Sequence, residues 1–129
     1  MDIALCIIDH TNRKLHFSGA NNPLYLFRKN DKNKDEDYTF IEIKADKMPI
    51  GFYTGEQSKF SNHELDIMSG DTIYIFSDGF VDQFGGKRNR KFLSKNFKKL
   101  LLEVQDESMN KQSEILISRF DEWKDANEQ

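Results

Sequence analysis

Apolar and polar positions along the chain change rhythm once, near residue 90, and that change predicts the architecture. Before it, the periods are short. Ile3–Ile8 is a continuous apolar run rich in isoleucine, too short for a helix, and is expected to form a buried strand. The polar cluster 9–14 reads as a turn. Leu15-His16-Phe17-Ser18 alternates as a half-buried strand does. Gly19-Ala20-Asn21-Asn22-Pro23 supplies residues that tolerate or impose turn dihedrals, and Leu24–Arg28 resumes strand chemistry, so a meander is expected. Residues 29–37 are all polar or charged and predict a solvated hairpin loop before a strand over 38–43. A further short strand is expected within Phe60–Met68. After the turn Ser69-Gly70-Asp71, the β-branched and aromatic run Thr72–Phe76 has the composition of a central strand covered on both faces.

From Lys91 the period becomes helical. Leu93, Phe97, Leu100, Leu101 and Val104 recur on one face with lysines opposite. A second helix is expected to open with Ser108 as its N-cap and to present Met109, Ile115, Leu116, Phe120 and Trp123. The sum is an α+β fold, five to six mainly antiparallel strands followed by two amphipathic helices, with the helices layered on sheet. At 129 residues the chain has room for a single domain, 1–129.

Composition narrows the function classes. A net charge of −3 with mixed signs and no basic stripe argues against nucleic acid as a partner. The lone thiol, Cys6, forms no internal disulfide and is expected in the core. No leader is legible after the acidic start Met1-Asp2, and no apolar stretch approaches the roughly 20 residues that span a bilayer. The segment is therefore expected to be cytoplasmic without membrane contact, although a parent protein could still be anchored.

Chemistry concentrates in Gly70-Asp71-Thr72-Ile73-Tyr74-Ile75-Phe76-Ser77-Asp78-Gly79. A strand that ends in Ser-Asp-Gly presents a carboxylate at its carboxyl end, Gly79 permits a sharp turn beyond it, and a fixed carboxylate suits a hard cation such as Mg²⁺ or Mn²⁺. On the dipeptide alone, simple Asp-Gly turn chemistry is the better reading. The wider run SGDTIYIFSDGFVDQFGG resembles the Asp-Gly motif of the type 2C metal-dependent protein phosphatases, in the bacterial branch of sporulation and stress-response regulators of sigma factors. MDIALCIIDHTNRKLHFSGANNPLYLFR, IEIKADKMPIGF and FDEWKDANEQ resemble that family's other segments in order and spacing.

The resemblance implies a β-sandwich with flanking helices, here in incomplete form. It implies two Mg²⁺ or Mn²⁺ ions whose bound water attacks phosphoserine or phosphothreonine, a phosphoprotein substrate such as an anti-sigma-factor antagonist, and Asp78 as a metal ligand. Gly79 would set the backbone geometry beside Asp78 and Asp82 would support the site without touching metal, with a plain surface charge equally open for Asp82. Asn21 and Asn22 would line a substrate entrance, unless they simply form a left-handed turn before Pro23. The family's early Gly-Asp-type motif and closing Asp-Asp motif do not occur in these residues. The chain alone is accordingly expected to hold metal weakly and to be nearly inactive. A degenerate, non-catalytic protein-binding module is the competing reading, and exposed sheet edges leave room for a homodimer.

Other candidates point elsewhere. Asp31, Asn33, Asp35 and Glu42 mimic calcium-loop spacing, but Glu36 occupies the glycine position and strands flank the loop. His10, His16 and His63 share no ligand spacing. Gly85-Gly86 lacks the context of a phosphate loop.

Overall fold

The computed structural model describes residues 1–31, 35–51 and 59–125. Of the calcium-loop mimic, Asn33 lies outside them, as do the last four residues of the chain. Packing divides the chain into two compact units, Met1–Ser77 and Asp78–Gln129. The first holds β1 (Ile3–Asp9), β2 (Lys14–Ala20), β3 (Leu24–Lys29), β4 (Tyr38–Ile43), β5 (His63–Asp66) and β6 (Thr72–Ile75). The second holds a two-residue-strand hairpin, β7 (Phe84–Gly85) and β8 (Arg90–Lys91), then α1 (Ser94–Glu103) and α2 (Met109–Asp125). The class is α+β, with every strand pair antiparallel.

Unit 1 consists of two three-stranded sheets, ordered β1-β2-β5 and β4-β3-β6. The alternation of β2 sends Leu15 and Phe17 to one side, and β3 sends Leu24 and Leu26 to meet them. All four are fully buried. Ile41, Ile43, Leu65, Ile67 and Ile73 pack around them, so sheet lies on sheet across one apolar layer. The opposite side of β3 carries Tyr25 and Phe27, whose rings stand edge-on or tilted to Phe40, Tyr74 and Phe76 at centroid distances of 4.7–5.8 Å.

Three expectations change here. The first three strands are not a meander: β3 leaves for the second sheet at a corner. Asn21 there takes φ 63°. Its N–H donates to the Asp46 carbonyl (2.9 Å), and the Asp46 N–H donates to the Gly19 carbonyl (2.9 Å). A Cβ on Gly19 would stand 2.4 Å from the Asn22 carbonyl oxygen, so only glycine fits that corner. The apolar run of β1 is not buried. It is an edge strand, and Leu5 and Ile7 are more than half exposed. A run apolar on both faces reads the same whether one or both faces are covered. Nor is β6 central. It lies at the edge of its sheet with Ile75 exposed, and β3 is the strand flanked on both sides.

In unit 2 the helices fall close to their expected places. Phe97, Leu100, Leu101 and Val104 are buried. Leu93 is not on that face: it precedes α1 with φ 74° and is about half exposed. Met109 is also exposed. The Ser108 cap is present, its Oγ accepting the Lys111 N–H at 3.2 Å.

Candidate functional site

Asp78 opens unit 2. β6 ends at Ile75, so the carboxylate stands three residues beyond the strand, in a turn, with its side chain exposed. Strand rigidity does not reach it directly, and its position is fixed from the other side. The Asp82 N–H donates to the Asp78 carbonyl at 2.9 Å, closing one helical turn. Phe80, at the middle of that turn, is packed against Phe92, Phe97 and Phe120 at centroid distances of 5.0–5.1 Å. Aromatic pairs of this geometry contribute about 0.5–1.5 kcal/mol each beyond area burial, enough to hold the turn in one conformation.

No hydrogen bond or ion pair among the described residues engages the Asp78 carboxylate. Gly79 does not supply the sharp turn by a left-handed conformation; positive φ among the described glycines belongs to Gly51, Gly70 and Gly86. Asp82 is exposed and faces Lys91 at 3.5 Å. Beside the turn, Gly79, Phe80, Gln83, Leu116, Ile117 and Phe120 line an open, largely apolar groove of about 540 Å³.

Asn21 and Asn22 lie at the corner of unit 1. The Asn21 side chain donates to Asp2 Oδ1 at 2.9 Å, tying the β2–β3 corner to the start of β1, and Asn22 is half-buried. The histidines do not converge. His10 lines a small hollow with Arg13 and Ser69, His16 sits opposite Glu64 across the β2–β5 pair, and the His63 ring is 6.3 Å from Phe17. Cys6 is half-buried, and burial pushes its thiol pKa up, away from nucleophile chemistry.

Among the described residues, no three His, Cys, Asp or Glu side chains come together in a way that could hold a metal ion. Mg²⁺ asks for a near-octahedral shell of oxygens. Asp78 fits one place in such a shell, and the described residues do not complete it, so no hydrolytic step follows from this chain's own geometry.

Two features escaped the sequence reading. Asp71, read as a turn residue, has a buried side chain that takes a bidentate grip from Arg28, Nε to Oδ1 at 3.0 Å and Nη2 to Oδ2 at 2.9 Å. The β7–β8 hairpin was also missed. Its turn signals were Gly86 and Asn89, both now seen with positive φ.

Comparison with known proteins agrees with this layout. The family model described as Stage II sporulation protein E (SpoIIE) matches residues 1–129, the whole chain. Among solved structures, the chain is similar to the SiaA-PP2C domain of Pseudomonas aeruginosa, at 26% identity and a TM-score of 0.80. The match covers 98% of this chain and 46% of that one, so this chain spans about half of the solved domain's length. No curated protein matches it.

Proposed function

Because this chain belongs to the stage II sporulation protein E family, we propose that it is the Asp-Gly-bearing portion of a metal-dependent protein serine/threonine phosphatase domain. The single observation that carries the reading is Asp78. It is an exposed carboxylate without an internal partner among the described residues, held in a Phe80-anchored turn, inside a chain that the family model matches from end to end. Phosphatases of the type 2C kind generally use Mg²⁺ or Mn²⁺, which when bound supply an acidic water and offset phosphoryl charge. In this reading Asp78 contributes one ligand, Asp82 shapes the turn through Lys91, and the remaining ligands come from elsewhere in a complete domain. The substrate class is a phosphoserine or phosphothreonine protein, an anti-sigma-factor antagonist in the bacterial branch named above. The setting is cytoplasmic signalling. No helix of the described residues is long and apolar enough to cross a membrane.

The test uses the full-length protein that carries this chain, with a phosphoserine peptide and Mn²⁺. Asp78→Asn should lower turnover at least about a hundredfold, the scale of disturbing metal-site ligation, while leaving the melting temperature within a few degrees. Unchanged turnover would remove Asp78 from the site. Isothermal titration of the chain alone with Mn²⁺ should show weak binding. Tight stoichiometric binding would show that this segment carries its own centre. If the full-length protein is inactive under all metals, the non-catalytic binding module becomes the better description.

A further inference from the structure

From Gln83 to Leu102 every charged side chain is Lys or Arg, whereas from Glu103 to Asp125 acids outnumber bases seven to three. The basic run is not a loose tail. Lys87 and Arg88 form the tip of the β7–β8 turn, Arg90 and Lys91 form β8, and Lys95 and Lys99 lie one turn apart on α1. All six are exposed. Among the described residues only Lys91 of these has an ion-pair partner, Asp82.

The hairpin is held in one place. The Gly86 N–H donates to the Trp123 carbonyl at 3.0 Å, the Trp123 indole N–H donates to the Gln83 carbonyl at 2.7 Å, and the Phe92 N–H donates to the same carbonyl at 3.0 Å. A Cβ on Gly85 would meet the Trp123 carbonyl oxygen at 2.1 Å, so the backbone is pressed onto α2. Cations adjacent in a hairpin, or one turn apart on a helix, lie within a Debye length of roughly 8 Å and repel one another. A hairpin held in place despite that repulsion presents a preformed positive surface.

We infer that the β7–β8 tip and the outer face of α1 dock a carboxylate-rich segment of another protein. Charge distribution selects that occupant. A duplex or an anionic membrane presents negative charge over a broad area and is disfavoured by a chain whose net charge is −3. A protein partner needs only a local acidic patch matched to the tip. The inference needs no metal and stands apart from the phosphatase reading.

The chain itself serves for the test, with a fluorescein-labelled octaglutamate peptide as probe, followed by anisotropy at low and physiological salt. The triple variant Lys87→Glu/Arg88→Glu/Arg90→Glu should bind at least about tenfold more weakly, since reversing charges at a docking face turns attraction into repulsion. Lys44→Glu/Lys47→Glu/Lys59→Glu, the same charge change at exposed lysines outside the proposed surface, should stay within about twofold of the parent, because a docking face responds to its own local charges and not to net charge. The Gln triple at 87, 88 and 90 gives the same reading should the Glu triple fold poorly. Equal losses in both triples would reduce the effect to net charge and overturn the inference. So would tighter binding of a DNA duplex or of phosphatidylserine vesicles than of the peptide. Salt-sensitive self-association of the chain, abolished by the 87/88/90 triple, would assign the surface to a second copy and overturn it too.

Discussion

Replacing Asp71 by alanine should destabilise unit 1 by about 3 kcal/mol. Its carboxylate is 3% exposed and accepts from Arg28 Nε (3.0 Å), from Arg28 Nη2 (2.9 Å) and from the Met68 N–H (2.8 Å). Arg28 Nη2 also donates to the Asp66 carbonyl at 2.9 Å, so the guanidinium ties the β5–β6 connection to β3. Removing one partner of a buried pair costs about 3–5 kcal/mol, chiefly through the charge left behind. Arg28 keeps 23% exposure and can recover some water, which places the cost at the low end. With a urea m-value of about 1.5 kcal/mol/M, the unfolding midpoint falls by about 2 M.

Far-UV circular dichroism is the proper readout, since the one tryptophan, Trp123, reports unit 2. The second arm is Arg28→Met/Asp71→Ala. If stranded charge is the cause, the double variant should be more stable than Asp71→Ala by at least about 1 kcal/mol, a coupling expected only of groups in contact. A loss below about 0.5 kcal/mol for Asp71→Ala, or additive effects in the double variant, would refute the reasoning.

Three further outcomes follow from the same geometry. Gly85→Ala should cost about 2–3 kcal/mol by overpacking against the Trp123 backbone, which cannot rotate away, and should lower the Trp123 fluorescence melting temperature; an unchanged melt would contradict the contact. Tyr25 is pushed up to about 12 by burial and then by Glu42, its cross-strand neighbour. The raised value means that folding favours the neutral phenol, a contribution present below the ordinary tyrosine pKa and lost as pH rises through about 12. One of the four tyrosines should therefore ionise late in an alkaline absorbance titration, and earlier ionisation of all four would disprove it. At the surface, the Lys14 ammonium hydrogen-bonded to Asp66 holds that carboxyl below the usual carboxylate range and lifts the Lys14 pKa. The pair thus stabilises between the two ordinary values, fading in acid as pH falls through the Asp66 value and in alkali as it rises through that of Lys14. Carbon-detected NMR should find the Asp66 midpoint raised toward its ordinary value in Lys14→Met.

Where local chemistry decides structure, the sequence is legible. Ser108 reads as a cap because its hydroxyl answers an amide three residues away, and Phe97, Leu100, Leu101 and Val104 read as a core face because helical period fixes which side they share. Where structure depends on strand order, it is not. Thr72–Ile75 and Leu24–Phe27 are both dominated by apolar and aromatic residues, and nothing local says that β3 collects two neighbours while β6 collects one. Period likewise misled at Ile3–Ile8, expected to be buried but lying at a sheet edge, for its outward face is as apolar as its inward one. Asp71 looked like turn chemistry because its partner, Arg28, lies 43 positions away. The Asp78 motif was visible as a pattern, but its support by Phe80 and three distant rings comes from tertiary packing.

The wet row of Leu5 and Ile7, with Ile3 and Ile8 beside it on the same edge, has a practical corollary for anyone handling this polypeptide. Unsatisfied main-chain groups flanked by greasy side chains are a template for stacking one molecule on the next. Threonine at positions 5 and 7 puts a β-branched side chain at both while wetting the outer face, so such variants are the natural starting point for raising the concentration at which the polypeptide stays dispersed.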